Sequence, residues 1–245
     1  MTRFKWNDIL NKNRIKEYKS AKKNFDGRDE FENDYDRILF SASFRRLQDK
    51  AQVFPLEKLD FVRTRLTHSL EVSSIGKSLG MIIGLQLIPL TKGTDDEINF
   101  QMVEEIGNVL SCAGLIHDLG NPPFGHFGEV AIREWFASKL KKNKDGSFYF
   151  KFEEYEFKLE RQEALDLLNF EGNAQGLRIL TKLHFVIDRY GMNLTTGVLN
   201  SIIKYPISSL ELGNKKFGGK KIGYFKAEEN TFNYIVNSTK IGKNR

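Results

Sequence analysis

The chain has 245 residues, 40% of them apolar and 12% aromatic, enough to close a sizeable core in one large domain or two small ones. Its 38 basic and 32 acidic side chains leave a net charge of +6, and the pI near 9.2 favours phosphate-bearing partners. A single cysteine, Cys112, excludes an intrachain disulfide and any thiolate zinc cluster, so metal chemistry would have to use histidine and carboxylates in a reducing, cytoplasmic setting. The start MTRFKWNDIL carries no signal core, and the run LGMIIGLQLIPL is interrupted by Gly84, Gln86 and Pro89, so no membrane role is expected.

Helical periodicity dominates, which predicts an all-α fold with long loops and at most a small β-hairpin. Residues 1–29 read as a charged N-terminal arm. In DYDRILFSASFRRLQ, Ile38, Leu39, Phe44 and Leu47 share one face of a first core helix, and VFPLEKLD follows as a loop. RTRLTHSLEVSSIGKSLGMIIGLQ then places Leu66, Leu70, Leu79, Ile82 and Ile83 on a second, long helix that Pro89 and a polar stretch should end. From Phe100 to about Leu119 the steps Val103, Ile106, Leu110, Ala113 and His117 form one apolar stripe, which turns His117 inward.

Gly120 and the Pro122-Pro123 pair stop that helix. A further one runs from Gly128 to Leu140 with Ile132, Phe136 and Leu140 on one side. FYFKFEEYEF alternates as a hairpin or aromatic edge, fit for packing or subunit contact more than for stacking bases. LNFEGNAQGLRILTKL and NLTTGVLNSIIKYP read as helices, the second ending at Pro206. Residues 207–245 read as a Lys/Gly-rich loop able to wrap phosphate, then a weak helix without a core partner. The core region is therefore expected over residues 30–206.

Chemistry concentrates around AGLIHDLGNPPFGHFGE, which holds two of the four histidines. His117 and Asp118, adjacent at a helix terminus, can face one cavity, and His68 arrives from another helix. A lone histidine on an apolar face is more often a hydrogen-bonded core imidazole, but the three together favour a metal site. Such a donor set suits Mn2+ or Mg2+ first, with Co2+, Ni2+, Fe2+ or Zn2+ as further candidates. His126 and Glu129 stand three apart at a helix start, close enough for the carboxylate to orient an acid-base imidazole; a helix-dipole role for Glu129 is an equal reading. Cys112 and His184 read as core or surface residues.

The ordered set His68, His117-Asp118, with RTRLTHSLEV, NPPFGHFGE and FEGNAQ, resembles the HD phosphohydrolase superfamily, and within it the deoxynucleoside triphosphate triphosphohydrolases, the dGTPase group. The likeness runs from FSASFRRLQDKAQVFP to GYFKAE. It implies hydrolysis of dNTP, dGTP by preference, to a deoxynucleoside and inorganic triphosphate. On that pattern His68, His117 and Asp118 are metal ligands, and His126, held by Glu129, protonates the departing 5′ oxygen. Gln48 lies at the sugar edge as a buried amide, Arg65 and Lys204 meet phosphate, and Tyr205 meets triphosphate and sugar. Asn173 belongs to the motif with a less defined role, a helix N-cap being an alternative.

The family's further aspartate, on a later helix, has no match in order here. Asp145, Asp166 and Asp188 all precede Lys204, so the chain reads as the N-terminal half of a longer enzyme. Its missing partner helices should leave apolar residues of NLTTGVLNSIIKYP uncovered, from which we expect a homo-oligomer. Two other functions stay open: another HD phosphohydrolase (a nucleotidase, or one acting on guanosine tetraphosphate or a cyclic dinucleotide), and a silent subunit that binds nucleotides or contacts nucleic acid.

Overall fold

The structure is a computed structural model and describes residues 5–16, 27–50, 61–184, 190–213, 219 and 221–241. Its order is α1 (Trp6–Ile9), α2 (Glu30–Leu39), α3 (Ala42–Arg45), α4 (Arg65–Thr91), α5 (Phe100–Ile116), α6 (His126–Lys139), β1 (Leu140–Lys142), β2 (Phe148–Phe152), β3 (Tyr155–Leu159), α7 (Arg161–Leu168), α8 (Gly172–Arg178), α9 (Thr196–Ser201) and α10 (Glu229–Thr239). The fold is all-α with one small antiparallel sheet, β1-β2-β3, as the composition and periodicity predict. The expected hairpin gains β1 as a third strand, with Leu140 opposite Phe150 and Phe150 opposite Phe157.

The core centres on α5, which is buried almost all round. Phe31 and Ile38 of α2, Leu115 and Ile116 of α5, Val198 and Leu199 of α9, and Ile235 and Val236 of α10 meet there. Local caps set the helix starts: Asp29 and Glu32 form a reciprocal capping box on α2, Asn99 Oδ1 accepts from Met102 N at 2.9 Å on α5, and Thr195 caps α9.

Helices α4 and α5 approach each other through small side chains. Ser73 Oγ lies 2.9 Å from Ser111 Oγ, and a Cβ placed on Gly114 would stand 2.5 Å from Ser73 Cα, so only glycine allows this approach. The buried stripe of α4 is Ser69, Ser73, Gly80 and Gly84, and the expected core positions Leu79, Ile82 and Ile83 are exposed instead. Pro89 does not end the helix; it sits in the last turn. At 27 residues, with a mean hydropathy of 1.3 in its most apolar window, α4 is long and apolar enough to cross a bilayer by length and composition, which for one helix is weak grounds for a span.

Several expectations are corrected by packing. Residues 5–16 do not extend as an arm: Arg14 pairs with the fully buried Asp34 at 2.6 Å, and Lys12 with Glu105 at 2.7 Å, which ties the segment to α2 and α5. The first core helix breaks at Phe40, because Ser41 starts α3 by accepting from Phe44 N. Residues 168–183 are not one helix but the end of α7, the separate α8 and a wide turn over Ile179–Leu183. In NLTTGVLNSIIKYP only Thr196–Ser201 is helical, and Leu194, Val198 and Leu199 are fully buried, so the uncovered apolar face belongs to α4. The tail helix α10 is docked, with Phe232, Ile235 and Val236 in the core. The VFPLEKLD loop, and residues 214–218 and 220 of the Lys/Gly-rich loop, lie outside the described residues.

Candidate metal and acid-base site

Because α4 and α5 run antiparallel at such close range, the first turn of α4 stands beside the last turn of α5. His68 and His117 meet edge to face with ring centroids 5.3 Å apart. Ligand atoms of His68, His117 and Asp118 all lie within 4.8 Å of one another, a cluster that could hold a metal ion.

The hydrogen bonds select the atoms that face this point. His117 Nδ1 lies 2.8 Å from the Gly114 carbonyl, which can only accept, so Nδ1 carries the proton and Nε2 presents a lone pair. That lone pair faces Asp118 Oδ1 at 3.6 Å. Two acceptors turned toward each other favour a cation, and the donor set fits a hard or borderline divalent ion. Asp118 is itself held: Arg65 Nη1 donates to Oδ2 at 2.7 Å and Asn121 Nδ2 to Oδ1 at 2.6 Å. Lys50 Nζ donates to the Asn121 carbonyl at 3.1 Å, and burial, reinforced by Arg65, lowers its pKa from the ordinary lysine value.

Phe124 and Gly125 take φ of 66° and 55°, a tight left-handed turn that ends in His126 at the start of α6. His126 Nδ1 bonds Glu129 Oε2 at 2.9 Å, while Gly172 N donates to Glu129 Oε1 at 2.8 Å. The His126 side chain is 78% exposed and that of Glu129 only 5%, so a buried carboxylate aims an imidazole into the open. A Cβ on Gly125 would stand 3.3 Å from Arg65 Nη2, which places the turn directly over the guanidinium bound to Asp118.

The other expected residues divide. Asn173 and Lys204 join His117, Val72, Gly76 and Leu110 in lining a cavity of about 310 Å³ between α4, α5, α8 and α9. Asn173 is inside α8 and donates to Glu171 Oε1 at 2.8 Å; the N-cap is Glu171. Tyr205 is half-buried, and its carbonyl accepts from Ile207 N at 2.9 Å. Arg65 is buried against Asp118, not solvated. Gln48 is exposed, contrary to the buried amide expected; it accepts from Thr64 Oγ1 at 3.3 Å beside the α4 N-terminus. Its short helical turn presents only Leu47 to the core.

Among the described aspartates, neither Asp145 nor Asp166 reaches the cluster: Asp145 binds Ser147 in the β1-β2 turn, and Asp166 accepts from Lys226 N at 2.6 Å. Asp188 lies outside the described residues. Cys112 and His184, read as core or surface residues, are both buried. Burial pushes the Cys112 thiol well above its ordinary range, which keeps it protonated and inert. Sequence reading overlooked Asn121, Lys50, Arg133 and Glu171. Asn121 and Glu171 were in plain view inside NPPFGHFGE and FEGNAQ, but beside their local bonds each also takes partners from distant segments, Lys50 for Asn121 and Arg133 and Lys221 for Glu171.

Known proteins align with this chain over these same elements. It is 50% identical over 243 residues to a deoxyguanosinetriphosphate triphosphohydrolase-like protein of Listeria monocytogenes, covering 99% of this chain and 51% of that protein. A protein of the same description from Synechocystis is 40% identical over 95% of this chain and 51% of its own length. The deoxyguanosinetriphosphate triphosphohydrolase of an Enterobacter species is 37% identical over 81% of this chain and 42% of its own. The chain thus spans about half the length of the curated relatives it matches, with 51% of the Listeria protein covered. The model of the HD domain matches residues 65–193, from the first turn of α4 through the His117-Asp118 doublet to the segment before α9, and the chain belongs to the HD-domain family.

Proposed function

We propose that this chain carries the catalytic centre of a dNTP triphosphohydrolase that releases a deoxynucleoside and intact inorganic triphosphate, with dGTP as the preferred substrate. The observation that carries the reading is the tautomer lock on His117, whose Nε2 lone pair is turned to His68 and Asp118, while the Gly125 turn that leads into His126 lies over the Arg65 guanidinium bound to Asp118. His68, His117 and Asp118 would hold a divalent ion, Mn2+ or Mg2+ first. When bound, such an ion lowers the pKa of a water and polarises a phosphoryl oxygen.

The chain's own groups do the rest. Arg65 and Asn121 keep the Asp118 carboxylate in one orientation. Lys204, exposed at the cavity mouth, supplies positive charge for the triphosphate, with Asn173 beside it. Water attacks the α-phosphorus as the bond to the 5′ oxygen breaks, and His126 delivers the proton that this oxygen needs. Glu129 holds the imidazole for that transfer. Gln48, beside the α4 N-terminus, and Tyr205, next to Lys204, contact the sugar. The enzyme works as a homo-oligomer in the cytoplasm, and the exposed apolar face of α4 is compatible with association.

Incubation of the chain with dGTP and Mn2+, followed by phosphorus NMR of the products, tests the reading. Inorganic triphosphate that disappears on chelation is the expected result. Orthophosphate or pyrophosphate in its place would point to another HD phosphohydrolase, and salt-sensitive binding without turnover to a silent nucleic-acid-binding subunit.

A further inference from the structure

The His126-Glu129 pair is supported from behind by residues that no motif reading assigns a role. Arg133 lies one turn along α6 from Glu129, and its guanidinium is fixed on two sides: Nε donates to the Phe170 carbonyl at 2.7 Å and Nη2 to Glu171 Oε2 at 3.2 Å. The same Nη2 stands 3.7 Å from Glu129 Oε2, the oxygen that holds His126. That distance is too long for a hydrogen bond, so the coupling is Coulombic, between a buried carboxylate and a guanidinium that water partly screens. Glu171, with a side chain 1% exposed, is held in turn by Asn173 Nδ2 at 2.8 Å and Lys221 Nζ at 3.2 Å on its other oxygen.

Two buried carboxylates therefore share one guanidinium. Removing it leaves Glu129 and Glu171 repelling each other across the gap, and Glu129 Oε2 loses the positive charge that keeps it beside His126. Among the described residues no other charged group replaces it: Arg65, under the Gly125 turn, is committed to Asp118, and Lys221 reaches only the far oxygen of Glu171. We propose that Arg133 and Glu171 are positioning residues that hold Glu129 so that the His126 proton sits on Nδ1 and Nε2 faces outward. The inference rests on the reading of His126 as proton donor.

The test compares wild type with Arg133→Gln, Arg133→Lys and Glu171→Gln by two measurements, nitrogen NMR of the imidazoles at alkaline pH and steady-state kinetics with dGTP. With four histidines in the chain, His126→Gln assigns the resonance. Wild type should show the Nδ1-H tautomer at His126. Arg133→Gln should move it toward the Nε2-H tautomer and lower kcat about tenfold, with KM changed by less than about twofold. Arg133→Lys should recover part of kcat, because it returns the charge without the fork. If Arg133→Gln fails to fold, Glu171→Gln carries the test, since it releases the fork and should shift the same tautomer. An unchanged tautomer and kcat in a folded variant overturns the proposal. If wild type does not hydrolyse dGTP, the functional reading fails, and the tautomer comparison still decides the positioning role.

Discussion

His117 and His126 flank one proline turn and are held by opposite means. His117 ends a buried helix and gives its Nδ1 proton to a backbone carbonyl, a partner that cannot titrate or move. His126 begins a more exposed helix and is tied to a buried side-chain carboxylate, which orients the ring while leaving it open to solvent. The difference suits different work. A ligand must keep a lone pair in place before anything binds, whereas a proton donor must reach substrate and exchange its proton with solvent.

The largest break in this comparison should come from Asp118→Ala. It removes the anionic ligand and leaves the buried Arg65 without its partner, so metal and turnover should vanish together and stability should fall by about 3 kcal/mol. Metal analysis after desalting and urea denaturation check this, and a variant with full metal content would count against the ligand set. His126→Ala should act on the other side alone, lowering turnover by about two to four orders of magnitude while metal content is kept. Equal loss of metal would make His126 a ligand.

Gly114→Ala should sharpen the contrast through the backbone. The added Cβ must push α4 from α5, separating His68 from His117 at a cost of about 1–3 kcal/mol. Metal affinity should drop while the His126 tautomer stays as it was; a shift in that tautomer would mean the two halves are not independent. Gln48→Ala should do least to turnover: since this side chain is exposed, the ratio of kcat/KM for deoxyribo over ribo substrates should fall by no more than about tenfold. No change in the ratio would remove Gln48 from the site.

His184 supplies a third mode, a histidine kept neutral in the core. Burial, with Arg45 nearby, lowers its pKa from the ordinary value of 6.5, and Ser43 Oγ bonds its Nδ1 at 2.8 Å. A depressed value in the folded state means that the unfolded chain binds the proton more readily, so stability is full above about pH 6.5 and declines as pH falls below it. Thermal unfolding between pH 8 and 5 should show this decline, reduced in His184→Gln. A pH-independent difference between the two proteins would contradict it.

Much of the candidate site could be read in the sequence because its residues cluster in two short stretches. His117, Asp118, His126 and Glu129 lie within one short segment, on either side of the Pro122-Pro123 pair, whose helical period and stop residues fix where each side chain stands. Arg133 was harder to see. At four residues from Glu129 it looks like an ordinary solvated helix charge, and only the return of Phe170 and Glu171 makes it a bridge between two carboxylates. The core face of α4 misled for a related reason. With apolar residues on every side, periodicity cannot choose a face, and the partner helix selects the small residues that let backbones meet.

The sequence by itself determined an all-α chain, the His-Asp doublet and the imidazole-carboxylate pair, because each depends on spacing along a few turns of chain. The tertiary structure decided that the N-terminal segment packs into the core, that α4 keeps its large side chains outside, that Arg65 serves Asp118 and that Glu129 is held by Gly172. Those outcomes depend on contacts between residues tens of positions apart, where the desolvation of one group is offset only by the partner that the fold brings to it.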